Sequence, residues 1–246
     1  MTELSGNTLI RPDWPAPANV HAFTTTRNGG FSEGPWASLN LGSSCGDDRR
    51  HVENNRRLLS GLLPSEPRWL RQVHGANVVG WDKANAPKTE ADAIVSNHAG
   101  QVCAVLTADC LPVLFCNRHG THIAAAHAGW RGLAAGVLEA TVLAMQCEPA
   151  DLLVWLGPAI GPRVFEVGKD VFDAFTTVNT GNSMAFKPHR DRWLADIYQL
   201  AAMALTRMGV SQVSGGSYCT FEEHGRFFSY RRDGETGRMA SVVWLE

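Results

Sequence analysis

No two cysteines in this 246-residue chain are spaced C-x-x-C; Cys45, Cys103, Cys110, Cys116, Cys147 and Cys219 are scattered singly. That scatter excludes a zinc ribbon and, in a reducing compartment, a disulfide framework. Most of these thiols are expected to be small buried hydrophobes. Long apolar runs are missing too: none approaches the ~18 residues that a membrane helix needs. The N-terminus, MTELSGNTLIRPDWP, has neither the apolar core nor the early basic cluster of a signal peptide. The expected compartment is therefore the cytoplasm. An excess of one charge is also lacking, since Lys and Arg total 22 against 24 Asp and Glu. Such a balance leaves no electrostatic footprint for nucleic acid, and the expected partner is a small molecule.

What is present is an ordinary apolar content of 44% in a chain long enough to bury a sizeable core. There is no internal repeat, low-complexity segment or linker, so one α/β (α+β) domain spanning 1–246 is the simplest organisation. Residues 1–20 read as an extended lead-in, His21 to Thr26 as a strand, and Phe31 to Gly46 as a long ordered loop of the kind that is often functional. Asp47 or Asp48 caps a helix running to about Gly61. Strands are expected at Trp69–Val73, Val78–Trp81, Ala93–Ser96, Leu152–Leu156, Val210–Val213, Phe227–Arg231 and Met239–Leu245, and a polar loop at Asp82–Glu90. Helices are expected at Leu133–Gln146, Val167–Phe175 and Asp191–Met208, the last capped by Asp191, with a polar loop over 176–190.

The chain is organised around Val102–Gly136, VCAVLTADCLPVLFCNRHGTHIAAAHAGWRGLAAG. It reads as a strand, a turn carrying Asp109 and Cys110, a second strand to Cys116, a polar turn, a third strand to His127, and a glycine-rich corner opening a helix. A two-residue turn at Arg118-His119 would pair Cys116 with Thr121 and Cys110 with His127. Directly opposed residues have Cβ atoms roughly 4.5–5.5 Å apart, so both side chains could reach one ion or one substrate atom.

His74, in Gln72-Val73-His74-Gly75, ends another strand, and the three side chains form a three-ligand zinc set that leaves a fourth position open. The same residues support a metal-free alternative, in which His127 deprotonates Cys110 and Asp109 or His74 orients the imidazole. Composition leaves the two readings level. Arg131, in the corner Gly129-Trp130-Arg131-Gly132, sits at a helix start where an anion could bind, with Arg27 or Arg56 as further phosphate clamps. Asn40, polar between Leu39 and Leu41, could read a base or a sugar, or brace its loop.

TTRNGGFS at 24, SLNLG at 38, VENNRRLL at 52, QVHG at 72, TADCLPVLF at 107, AAAHAGWRGL at 124, WLGPAIGPRVFEVG at 155 and FFSYRRDGETGRMAS at 227 follow one another in a pattern that closely resembles the bacterial YfiH family. Its members are also called polyphenol oxidases, laccase-domain proteins or peptidoglycan editing factor, with FAMIN as the animal relative. The resemblance implies a single layered sandwich with mixed β-sheets packed between helices. It also implies a zinc site on His74, Cys110 and His127, with copper as a possible occupant. The implied activity is purine nucleoside chemistry: phosphorolysis of adenosine, inosine, guanosine and methylthioadenosine, and deamination of adenosine. Copper-dependent oxidation of phenols is the runner-up. Hydrolytic editing of peptidoglycan precursors, with Cys110 as nucleophile, is a third reading.

Overall fold

The computed structural model describes residues 8–84 and 89–246; the start of the expected lead-in and the middle of the polar loop at Asp82–Glu90 lie outside the described residues. In chain order the strands are β1 (Leu9–Ile10), β2 (Val20–Thr25), β3 (Val78–Gly80), β4 (Ala93–Ser96), β5 (Val102–Thr107), β6 (Leu111–Asn117), β7 (Ile123–Ala128), β8 (Leu152–Leu156), β9 (Glu166–Val167), β10 (Phe186–His189), β11 (Arg192–Ala195), β12 (Gln212–Gly215) and β13 (Met239–Leu245). The helices are α1 (Arg49–Ser60), α2 (Trp130–Ala134), α3 (Val137–Ala144), α4 (Lys169–Val178), α5 (Ile197–Arg207) and α6 (Tyr230–Asp233). A six-stranded sheet runs β12-β8-β6-β7-β4-β3, a four-stranded sheet β1-β2-β13-β5, and a small sheet β10-β11-β9. The large sheet is mixed: its two outer pairs, β12 with β8 and β3 with β4, are parallel and the inner pairs antiparallel.

Side-chain alternation along each strand sorts the core into layers. Leu114 and Cys116 of β6, Ile123 and Ala125 of β7, and Leu153 and Trp155 of β8 pack against Cys103 and Val105 of β5 and Met239 and Val243 of β13, sealing the two large sheets face to face. The intervening residues Val113, Phe115, Ala124, Ala126 and Val154 point the other way, onto Leu133, Val137, Leu138, Val142, Val171, Phe175, Leu200 and Leu205 of α2 to α5. On the far side Phe23, Val102, Ala104, Ala240 and Val242 cover Leu41 and Leu59 of the loop before α1 and of α1 itself. The order helix, sheet, sheet, helix is the expected layered α/β sandwich.

Several local expectations are corrected. The 118–122 turn is longer than two residues: Asn117 Oδ1 accepts from the amides of Thr121 and His122, and the Asn117 amide donates to His122 O. The register therefore moves by two, pairing Cys116 with Ile123 and Pro112 with His127. A two-residue shift preserves which face each side chain occupies. The helix expected at Leu133–Gln146 is divided by Gly136, which takes φ 90. The helix expected from Asp191 begins only at Ile197, because Asp196 supplies the cap to the Gln199 amide; Asp191 lies instead in the turn joining β10 to β11. Trp69–Val73 keeps just one bridge, Arg71 to Glu90, and Phe227–Arg231 leads into α6 rather than forming a strand.

Candidate metal centre

The three residues singled out from sequence come together. One donor atom from each of His74, Cys110 and His127 lies within 4.8 Å of the others. Cys110 Sγ is 3.8 Å from His74 Nε2, and the two imidazoles meet edge to face with centroids 4.7 Å apart. Different elements deliver them. His127 occupies the end of β7 and is 3% exposed, Cys110 stands in the turn between β5 and β6, and His74 projects from the segment before β3 at the exposed side. Both His74 (φ 59) and Asp109 (φ 83), the residue before Cys110, take left-handed backbone that side chains rarely adopt. Such conformations persist only where surrounding contacts hold them.

Those contacts are two buried carboxylates. Asp92, fully buried, accepts His127 Nδ1 at 2.8 Å and the backbone amides of Val73, His74 and Gly75 at 3.2, 2.9 and 2.7 Å. One side chain thus fixes the tautomer of one histidine and the backbone turn that carries the other. Burial alone would raise the Asp92 carboxyl, but the bonds from His127, Gly75 and His74 outweigh it and lower its pKa. Asp109 does not orient an imidazole. Its carboxylate accepts Thr220 Oγ1 at 2.6 Å and the Arg231 amide at 2.7 Å, anchoring the Cys110 turn to the C-terminal loop. Sequence reasoning missed Asp92; its one signal is a lone acid inside the apolar run Ala91-Asp92-Ala93-Ile94-Val95.

Burial raises the Cys110 thiol, yet the positive charge on His127 and hydrogen bonds to both histidines bring it down to about 6. His127 shows the converse: burial lowers it, while the Cys110 charge and Asp92 lift it to about 9. Without metal these groups form a thiolate–imidazolium pair. As a donor set, one thiolate and two imidazoles suit zinc or copper, and the carboxylate behind His127 is the outer partner that metal-bound histidines ordinarily have.

The trio lies in a cleft of about 810 Å³ that Trp69, Gln72, Leu106, Tyr230, Arg56 and Arg238 help to line. Of the four expected substrate residues, Arg56 is on this wall. Arg131 lies instead in a separate cleft of about 510 Å³ with Trp130 and Arg231. The small residues of its corner make room for protein rather than ligand: a Cβ on Gly129 would sit 2.8 Å from His74 Cδ2 and 3.0 Å from Cys110 Sγ, and one on Gly132 would sit 2.7 Å from Gly75 O. Asn40 is fully buried and braces its loop, accepting from the Gly42 and Arg238 amides and donating to Asp47. Arg27 donates from Nε to Ala37 O and from Nη1 to His224 O, stacks on Phe228, and is not among the residues that line the cleft. Arg238 and Tyr230 are the cleft residues that spacing gave no reason to prefer.

Comparison with known proteins agrees with the resemblance read from the motifs. Residues 21–246 match the family model described as multi-copper polyphenol oxidoreductase laccase. The Escherichia coli (strain K12) protein named purine nucleoside phosphorylase YfiH is 57% identical over 96% of this chain and 98% of its own. A Pseudomonas aeruginosa protein also named a purine nucleoside phosphorylase is 54% identical over 98% of this chain and 99% of its own. Among solved structures, a Neisseria meningitidis protein matches with a TM-score of 0.94 at 50% identity, covering 97% of this chain and 99% of that one. YlmD from Geobacillus stearothermophilus matches with a TM-score of 0.91 at 32% identity, covering 100% of this chain and 98% of that one.

Proposed function

The chain belongs to the multi-copper polyphenol oxidoreductase laccase family, and from that membership we propose that it is a metal-dependent purine nucleoside phosphorylase. The observation that carries the reading is a His–Cys–His centre in a substrate-sized cleft, in a chain 57% identical along nearly its whole length to a protein bearing that name. Zinc is the proposed metal, held by His74, Cys110 and His127. Adenosine, inosine, guanosine and methylthioadenosine are the proposed substrates, with adenosine deamination as a second reaction of the same cleft.

When bound, the metal supplies Lewis-acid polarisation of a substrate atom. The remaining work falls to the chain. Asp92 holds His127 with Nδ1 engaged, so that Nε2 is the atom presented to the site. Cys110 is favoured as thiolate by its two imidazole neighbours, and the proton that metal binding must release is the one that His127 carries. Leu106 and Tyr230 give the cleft apolar and aromatic surface against which a purine can lie, and Arg56 gives it a cation for phosphate.

The test uses protein whose metal content has been measured. Adenosine and inosine are supplied with and without inorganic phosphate, and released base is quantified by chromatography. Phosphate-dependent base release that Cys110→Ala abolishes is the expected result. Base release indifferent to phosphate refutes phosphorolysis.

One observation favours a second reading. A His₂Cys set suits copper, and the family description names a polyphenol oxidoreductase. The corresponding arm is a phenol oxidation assay with and without added copper; copper-dependent turnover without purine turnover would establish it in place of the first.

A further inference from the structure

Two guanidinium groups, those of Arg56 and Arg238, line the same cleft as the His–Cys–His trio. Arg56 is clamped by Nε and Nη2 to Leu41 O at 3.0 and 2.8 Å, and its guanidinium lies 4.5 Å from the centre of the Trp69 ring. Arg238 is tied by Nη1 to Thr236 O and Gly237 O at 2.8 and 2.9 Å. Neither has a carboxylate within ion-pair distance among the described residues, although exposed arginines such as Arg49, Arg71 and Arg163 do. Among the described residues each keeps nitrogen donors with no acceptor: Nη1 of Arg56, and Nε and Nη2 of Arg238.

Both arginines converge on one turn. Arg56 grips Leu41 O from one side. The stem of Arg238 lies across Gly42, where an added Cβ would come within 2.7 Å of Arg238 Cγ, and its backbone pairs with Leu41 and Asn40. Ser43 and Ser44 follow on the same turn with exposed hydroxyls in the same cleft as Cys110 and His127. Burial lowers the pKa of Arg56, and Glu66 and Cys45 offset it only in part. A half-buried cation in that state gains from an anion brought to it.

We propose that Arg56 and Arg238, bracketing the Leu41–Ser44 turn, form the subsite that holds the phosphate co-substrate beside the metal centre. The assignment rests on the phosphorylase reading. In that reaction an oxygen of hydrogen phosphate bonds to ribose C1′ as the C1′–N9 bond breaks. The electron pair of that bond stays with N9, and the proton of the hydrogen phosphate ends on the base. Ribose 1-phosphate and free purine are the products, with no change of oxidation state. The nucleophile carries two negative charges that must approach a nucleoside already in the cleft. Guanidiniums fixed by backbone carbonyls meet it with little ordering left to do, and their planar forks suit phosphate geometry better than an ammonium would.

The experiment measures initial rates as a function of phosphate at saturating inosine, and of inosine at saturating phosphate, for the wild type, Arg56→Met, Arg238→Met and Arg238→Lys. Metal content and melting temperature are recorded for each. Charge-assisted hydrogen bonds being worth one to two decades in affinity, the Met variants are expected to raise the phosphate KM by about 10–100-fold. The nucleoside KM should stay within about twofold and metal content should not change. Arg238→Lys keeps the charge and the packing stem, and covers the case in which the Met variant misfolds; it should raise the phosphate KM by a smaller factor. Variants that leave the phosphate KM unchanged, or raise both KM values alike, overturn the subsite. If the wild type shows no phosphate-dependent turnover, the phosphorylase reading itself has failed. Calorimetric titration with inorganic phosphate then decides the subsite separately: binding that Arg238→Lys weakens upholds a phosphate site, and no binding by the wild type removes it.

Discussion

Asp92 shows how much one residue can organise. Its two oxygens accept four N–H groups, one from the His127 imidazole and three from the backbone that carries His74. Asp92→Asn keeps the shape but removes the charge and turns an NH₂ group towards donors. Loss of such an outer partner typically costs 10–100-fold in metal affinity. We expect a loss of about that size, measured by competition with a chromophoric chelator; unchanged affinity would reduce Asp92 to a packing residue. Cys110 permits a second test at this scale. In metal-free protein the charge on His127 and the hydrogen bonds to both imidazoles should hold the Cys110 thiolate down to about pH 6, whereas an unperturbed thiol titrates near 9. Because the folded pKa lies below that of the free thiol, the thiolate is present above about 6 and is lost as pH falls through it. Alkylation of Cys110 by iodoacetamide, followed by mass spectrometry of the labelled peptide, should therefore show its half-maximal rate near pH 6. Cys103 and Cys116, whose thiols burial raises, should stay unlabelled. A midpoint near 9 for Cys110 would mean that the ion pair with His127 does not form.

At the scale of elements, the site depends on how closely the β7–α2 corner can approach the turn carrying His74. Gly129 leaves no room for a methyl group, which would meet both His74 Cδ2 and Cys110 Sγ inside normal contact distance. Gly129→Ala should thus push two ligands apart and lower metal stoichiometry well below one, while leaving the far-ultraviolet circular dichroism of the sheets intact. Full metal occupancy in that variant would show that the corner can relax. The same region shows what local sequence can and cannot reveal. That His74, Cys110 and His127 come together was legible because a thiol and two imidazoles at strand ends have few structural uses in common. The strands that carry Cys110 and His127 were legible from their apolar runs. The register was not, because a polar turn can close with two residues or four, and what decides between them is the Asn117 side chain folding back onto the Thr121 and His122 amides, which spacing alone does not announce. Likewise β10 falls in the expected polar loop and β11 at the start of the expected helix; β11 lies between β10 and β9 and pairs with both. The start of α5 went to the wrong aspartate because Asp191 and Asp196 are equally good caps in isolation. Asn40 stayed open between reading a ligand and bracing its loop, because the burial that makes it a brace is not written in its neighbours.

The whole molecule is a pair of sheets sealed face to face with helices outside, and the candidate metal centre draws its three donor residues from separate segments of that stack. Unfolding must disperse His74, Cys110 and His127 across more than fifty residues of chain, so a metal held by all three would bind the native state far better than the unfolded one. A ligand of that kind stabilises by RT ln(1 + [L]/Kd), about 4 kcal/mol at a thousandfold excess over Kd. For a chain of this size 1 kcal/mol moves the melting temperature by roughly 2–4 °C. Raising free zinc to about a thousand times Kd over chelator-stripped protein should therefore raise the calorimetric midpoint by about 8–16 °C. Cys110→Ala, which removes the anionic ligand, should retain only a small part of that rise. Copper offered in place of zinc should also stabilise, since the donor set accepts both, so stabilisation alone does not name the working metal. A midpoint that ignores both ions would mean that the three side chains, however close, do not act together as a metal site, and the chemistry would return to the Cys110–His127 ion pair.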